Sequence, residues 1–329
     1  MIKPISFFHS KLSNFSKNHA IKKPSINTIK NPKAKAAIVG STALALFGTY
    51  TLSQIKSKEN PIKNLINTAT IEKNKADELS RDIEEEGFEI YKKSKSLLNE
   101  VNKLYAKGEE VIDGIAVRKI TKNSDKTVME EFSHDGSKLL RRTTFLPDKT
   151  IISKGIEDTP SGSEKTQETY KFFQNELSEY SQNTQTKNDS KKASRVFLYA
   201  FDGFLIEYNK NPEIIDKKTF KAEKKIEFSF DSSLSFYFEN ITKTQDGSIK
   251  ASKAINEYNE YFENYEWNEP QKRTKAEKMV IFDEKNKPSR VYFGYNANNK
   301  TIEKSYTITQ KGAKDTTKED IEKEFYNFV

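Results

Sequence analysis

Three histidines and no cysteine set the chemical limits of this 329-residue chain. Without cysteine there is no thiol nucleophile, no disulfide and no thiolate metal site. His9 and His19 fall within the first 35 residues, which leaves His134 alone in the body. It stands in the run Ser133-His134-Asp135-Gly136-Ser137. Neighbours in a tight turn cannot converge as members of a catalytic triad do, so the run reads as a turn. Carboxylates are plentiful, as in Glu84-Glu85-Glu86, Glu109-Glu110 and Glu130-Glu131. Two carboxylates suffice for glycoside hydrolysis. Runs of this kind are ordinarily solvated faces, however, and no spacing singles out a pair. Phosphate-binding glycine loops, nucleophile elbows, His-Glu-x-x-His and calcium loops are all absent. The sequence specifies no catalytic residue, no metal ligand and no cofactor.

Aromatic rings are the one positive excess. Residues 195–310 hold 21 Phe, Tyr and Trp in 116 positions, about 18% against 12% for the whole chain. Two readings are open: the rings form the core of a thin sheet domain, or one aromatic face stacks on glycan, peptide or lipid. On the second reading the candidate contacts are Phe197, Tyr199, Tyr208, Tyr237, Tyr261, Trp267 and Tyr292. Single-strand nucleic-acid binding also uses stacking rings but needs a positive groove. The formal charge of +8 matches the eight lysines of residues 1–35, a stretch without acids. The rest of the chain is therefore neutral, which argues against a nucleic-acid partner.

These rings need elements to hold them, and the pattern supplies two kinds. From Ile62 an apolar residue recurs every seventh position: Ala69, Ala76, Ile83, Ile90, Leu97, Leu104. The positions three later are mostly charged, so only one of the two seams of a coiled coil is apolar. The expectation is a long amphipathic, coiled-coil-like helix over residues 56–108, continuous or broken near Gly87 and ended at Gly108. It would be either a free stalk or a helix packed on the sheet C-terminal to it. Beyond Gly108 the period becomes two, punctuated by Asp-Gly at 113–114, 135–136, 202–203 and 246–247. Asp-Gly between alternating runs is a hairpin signal. Residues 109–329 are thus an antiparallel β-meander with one or two covering helices, subdivided near 181–194, where a polar run reads as a linker. The covering helices are placed at 250–277, from the spacing of Tyr258, Tyr261, Phe262 and Tyr265, and at the C-terminus after Thr317. Hairpin repeats of the YD or MORN kind build sheets in a similar way, but their glycines and consensus positions are absent.

Residues 36–55 are an uncharged run of 20. At 1.5 Å per residue such a helix spans ~30 Å, the depth of a bilayer core. With the basic leader 1–35 before it, the expectation is an N-in, single-pass signal anchor with residues 56–329 outside the cytoplasm. A cleaved signal peptide, an organelle import sequence and a buried soluble helix are the alternatives. The fold class expected is α+β. The function expected is a membrane-anchored extracytoplasmic structural or binding module of the cell envelope. Its partners would be the bilayer through 36–55, a second copy through the anchor and stalk, and a protein or glycan. A carboxylate-based hydrolase and a carrier for an apolar ligand are the rivals.

Overall fold

From Pro61 to Lys107 the chain forms one uninterrupted α-helix, α1. The structure, a computed structural model, describes residues 61–158, 163–231 and 233–316. Proline suits a first helical position, where its missing N–H bonds nothing anyway. At the other end Gly108 takes a left-handed φ of 81°, and its N–H bonds the Tyr105 carbonyl at 3.1 Å. The Arg118 guanidinium also bonds the carbonyls of Leu104 and Gly108, at 3.4 and 3.0 Å, so a cation closes the helix C-terminus.

Apart from a single 3-10 turn at Phe201–Gly203, the regular structure described after the helix is one antiparallel sheet. Its strands are β1 (Glu110–Ile112), β2 (Ile115–Lys122), β3 (Thr127–Phe132), β4 (Leu139–Phe145), β5 (Lys149–Asp158), β6 (Glu164–Phe173) and β7 (Glu176–Lys187). Next come β8 (Ser190–Lys192), β9 (Arg195–Tyr199), β10 (Leu205–Lys210), β11 (Glu213–Ile215), β12 (Thr219–Phe228) and β13 (Leu234–Lys243). The last are β14 (Ile249–Asn256), β15 (Glu260–Asn268), β16 (Arg273–Phe282), β17 (Pro288–Asn296), β18 (Lys304–Thr309) and β19 (Gly312–Asp315). Each long strand pairs with the next in sequence, while β8 with β9 and β10 with β11 act as single strands broken by a bend.

The helix lies across these strands, and its seven-residue period is a ruler for them. Glu100, Glu86 and Glu72 are each fourteen residues apart and ion-pair with Arg141 on β4, Arg195 on β9 and Lys253 on β14. Fourteen helical residues rise ~21 Å. Successive partners are four ladder steps apart, ~19 Å at the usual strand spacing. One heptad therefore advances the helix by one hairpin. That is why a single apolar seam recurs: Ala69, Ala76, Ile83, Ile90 and Leu97 are buried against sheet residues such as Tyr199, Ile226 and Val280.

The expected arrangement is corrected on several points: the α+β class with covering helices gives way, among the described residues, to one large antiparallel sheet crossed by the single long helix Pro61–Lys107. The described residues contain one long helix and no second one to pair with, so the coiled-coil reading does not hold. Gly87 does not break it; its carbonyl accepts a 3.0 Å bond from the Tyr199 hydroxyl. Residues 250–277 are strands, not a helix. The helical spacing of 258, 261, 262 and 265 arises because Asn264, at φ 53°, interrupts the alternation of β15. The polar run from Ser181 is no linker, since β7 continues through it to Lys187. The anchor at 36–55 and the helix after Thr317 lie outside the described residues. Among those described, no helix is long and apolar enough to cross a membrane, so a single-pass membrane protein is not supported.

The interruption at Asn264 belongs to a series. Gly155, Asn183, Asn211, Asn240, Asn264 and Gly294 all have positive φ and follow one another at 24 to 30 residues. They fall on every second long strand. Asn183 and Asn240 also tie the bend to the next strand, donating to the hydroxyls of Ser194 and Ser252 at 3.1 and 3.0 Å. Asparagine tolerates the left-handed region better than other residues with a Cβ, which accounts for its use here.

Candidate ligand-binding face

Because successive side chains point to opposite faces of a strand, the sheet has a helix side and an outer side. On the helix side, rings meet α1. Phe197, Tyr199, Tyr208, Tyr237 and Tyr261 are all buried there in one cluster with the helix seam. Five of the seven candidate contact residues are thus core beneath a helix. Two of the tyrosine hydroxyls bond carboxylates: Tyr237 donates to Glu239 at 2.6 Å and Tyr261 to Glu263 at 3.1 Å. Burial, reinforced by those carboxylates, pushes both phenols well above their ordinary range.

The outer side of β12–β17 carries a second apolar cluster, to which the other two candidates belong. Phe238, Ile241, Phe262, Tyr265, Met279, Tyr292 and Tyr295 pack there beside the small Ala222, Ala251, Ala254 and Ala276, with Trp267 against them. Tyr292 is buried within this layer. Trp267 is different, for it lines three adjoining clefts. One of about 520 Å³ is shared with Phe262, Met279 and Tyr295. One of about 310 Å³ is shared with Phe236, Phe238 and Tyr265. One of about 290 Å³ has a polar wall of Thr242, Thr244 and Ser248. The indole N–H donates to Glu269 at 2.7 Å, which fixes the ring's orientation.

Polar groups converge on the same clefts. Glu260 lies between the two aromatic ones, and Glu227 reaches the second. Burial raises the Glu260 carboxyl above its ordinary value, and the bond it accepts from the Asn256 amide at 2.6 Å opposes this only in part. Asn298 lines the third cleft, and its Oδ1 is buried with no hydrogen-bond partner. The ring faces and this open acceptor suit a ligand that is apolar on its flat sides and carries donors on its edge. Among the described residues no cluster of His, Asp or Glu could hold a metal ion.

His134 sits at the tip of a hairpin. Asp135 beside it accepts from the Ser133 and Ser137 hydroxyls and from the Ser137 N–H, and those bonds hold its carboxyl down at about 2. Asp231 with Ser229 and Ser233 repeats the device, as does Asp246 with Thr244 and Ser248. Ser/Thr-x-Asp-x-Ser is a turn in this protein, and the Ser-His-Asp run is one instance of it.

Glu260, Phe262, Tyr265, Tyr295 and Asn298 are site residues that alternation alone does not reveal. Their trace in the sequence is a pair of apolar residues three apart with Asn or Gly just before the second: Phe238/Ile241, Phe262/Tyr265, Tyr292/Tyr295. Each spacing marks an interrupted strand whose two halves face the same way.

No family model matches the chain, and no curated protein matches it. Among solved structures it is similar to an S. aureus TarM variant crystallised with fondaparinux, alpha-GlcNAc-glycerol and UDP. The match has 12% identity and a TM-score of 0.26 and covers 47% of this chain. It spans about a quarter of that chain, 27%. A likeness this slight assigns neither fold nor function.

Proposed function

We propose that the protein is a non-catalytic binding module whose outer sheet face takes up glycan rings at Trp267. The observation that supports this most directly is the meeting of three clefts at one oriented indole, with the unpartnered Asn298 acceptor in one of their walls. Sugar rings offer flat C–H faces to an aromatic and hydroxyl donors at the edge. The helix-side face is filled, which leaves α1 as the support and the outer face as the surface for recognition. Titration calorimetry against neutral oligosaccharides tests the reading. Trp267→Ala is expected to weaken binding at least tenfold, the scale of about 1.4 kcal/mol. Equal affinity of the wild type and Trp267→Ala would refute it.

A hydrolase is the second reading, favoured by Glu227 and Glu260 lining one cleft with the Glu260 carboxyl raised, as a general acid requires. Release of reducing ends from the bound oligosaccharide, abolished in Glu260→Gln, would move the assignment there. The carrier reading fits less well, because the clefts are open rather than enclosed.

A further inference from the structure

A fourth cleft lies on the same outer face, over β7–β12, and nothing in the Trp267 site uses it. Its volume is about 220 Å³, and its walls include Val196, Leu198, Ile214 and Phe220 together with Glu207 and Asn209. Asn209 is 2% exposed and its Oδ1 has no hydrogen-bond partner. The orientation of its amide is not free. The Glu207 carboxylate accepts from Nδ2 at 2.8 Å, and an acceptor there excludes the flipped amide. Oδ1 is thus held as a buried acceptor in want of a donor, a situation that costs stability unless something fills it.

The charged groups in this cleft are already paired. Glu179 is matched by Lys171 and Lys191, at 2.7 and 2.8 Å. Glu207 and Glu227 share the buried Lys225, at 2.9 and 2.8 Å. The charged groups that line the cleft, Glu179, Lys191 and Glu207, are thus each ion-paired already, and an ionic ligand would find no unmatched partner. The cleft suits a neutral group with an apolar body and a hydrogen-bond donor. That is the demand made by the Trp267 clefts, where Asn298 Oδ1 plays the corresponding part.

The two sites also share a row of the sheet. Ile214 pairs with Phe220, Phe220 with Lys243, Lys243 with Ile249, and Ile249 with Trp267. Four ladder steps separate Ile214 from Trp267, ~19 Å across the strands. Resting on the glycan reading of the Trp267 face, we propose that the Asn209 cleft is a second subsite for the same ligand. The ligand is then an uncharged chain of linked rings, lying across the strands and long enough to reach both.

A length series tests this, with chito-oligosaccharides of two to seven rings titrated by calorimetry and oligogalacturonates as the charged control. Affinity is expected to step up at least tenfold once the chain can span ~19 Å, since the second contact becomes intramolecular. Asn209→Leu should abolish that step and leave short-chain binding unchanged. Ile214→Ser, at an exposed wall position, gives the same readout should the buried substitution fail to fold. Trp267→Ala should weaken binding at least tenfold at every length. A smooth rise with length, or a step that survives both subsite variants, overturns the second subsite and spares the first reading. That result would leave the Asn209 acceptor to internal water only. Tighter binding of the charged control overturns the neutral-chain assignment, and no binding by any neutral length overturns both readings.

Discussion

The Arg195 guanidinium on β9 grips the Glu86 carboxylate of α1 with two nitrogens, Nη1 at 2.7 Å from Oε1, across 109 residues of sequence. Arg195 also lies over the Phe197 and Tyr208 rings, 5.0 and 5.5 Å from their centroids. With Glu72–Lys253 and Glu100–Arg141 on either side, the pair pins the helix in register with the strands it crosses.

Both partners of the Glu86–Arg195 pair are partly exposed, at 38% and 27%, so solvent screens much of its attraction. A double-mutant cycle with Glu86→Gln and Arg195→Gln should give a coupling of about 0.5–1 kcal/mol in urea unfolding. The coupling should shrink in ~1 M salt. Arg195→Gln alone should cost more than the coupling, because the ring contacts go with it.

Ala76 is fully buried, with 0% exposure, where the helix seam meets the sheet. Ala76→Leu should destabilise the protein by about 1–3 kcal/mol, read as a lower urea midpoint at unchanged slope. A heptad seam facing another helix predicts the opposite, since leucine is favoured there. One substitution therefore separates a seam measured against strands from one measured against a helix.

Asn264 holds φ at 53° in mid-strand, with its amide bonded to Glu277. Asn264→Ala should cost about 1–2 kcal/mol for placing an ordinary Cβ in the left-handed region. Asn264→Gly loses the same amide but not the conformation, so it should cost less. Chemical denaturation of both variants tests this; equal losses would assign the whole effect to the amide.

For Glu260 the sign follows from burial. Its folded carboxyl is raised, so the folded chain holds the proton more tightly than the unfolded chain. Ionised Glu260 then costs stability above the unfolded pKa, and the cost vanishes as pH falls below that value. Glu260→Gln should melt higher than wild type at about pH 7 and equal to it near pH 3.5. A gain of the same size at both pH values would point to packing rather than charge.

The local code was legible in residues such as Ala69, Ala76 and Ile83, whose seven-residue recurrence marks a helix with one apolar seam. Asp135-Gly136 and Asp246-Gly247 likewise marked turns, because Asp and Gly satisfy the backbone of a hairpin tip. The registers were harder. Alternation counted back from the turn sets Ile226 opposite Phe238, whereas Ile226 faces Tyr237 and Phe238 lies on the other face. The slip lies between Glu227 and Phe228, where no asparagine or glycine marks it; one irregular residue inverts every later side chain, and nothing in the pattern announces it.

What the chain determined by itself is local: where backbone bends, which residues are apolar, and that cysteine and clustered histidine are missing. What the tertiary structure decided is which face each ring occupies. Tyr199, Tyr208, Tyr237 and Tyr261 have the same chemistry as Tyr295, and Phe197 lacks only its hydroxyl, yet the helix covers those five. Trp267 is left among clefts because it follows the Asn264 interruption onto the uncovered side. Burial of a ring depends on what packs over it from a hundred residues away. A period of two reports only that neighbours point apart, never which of them the helix will meet.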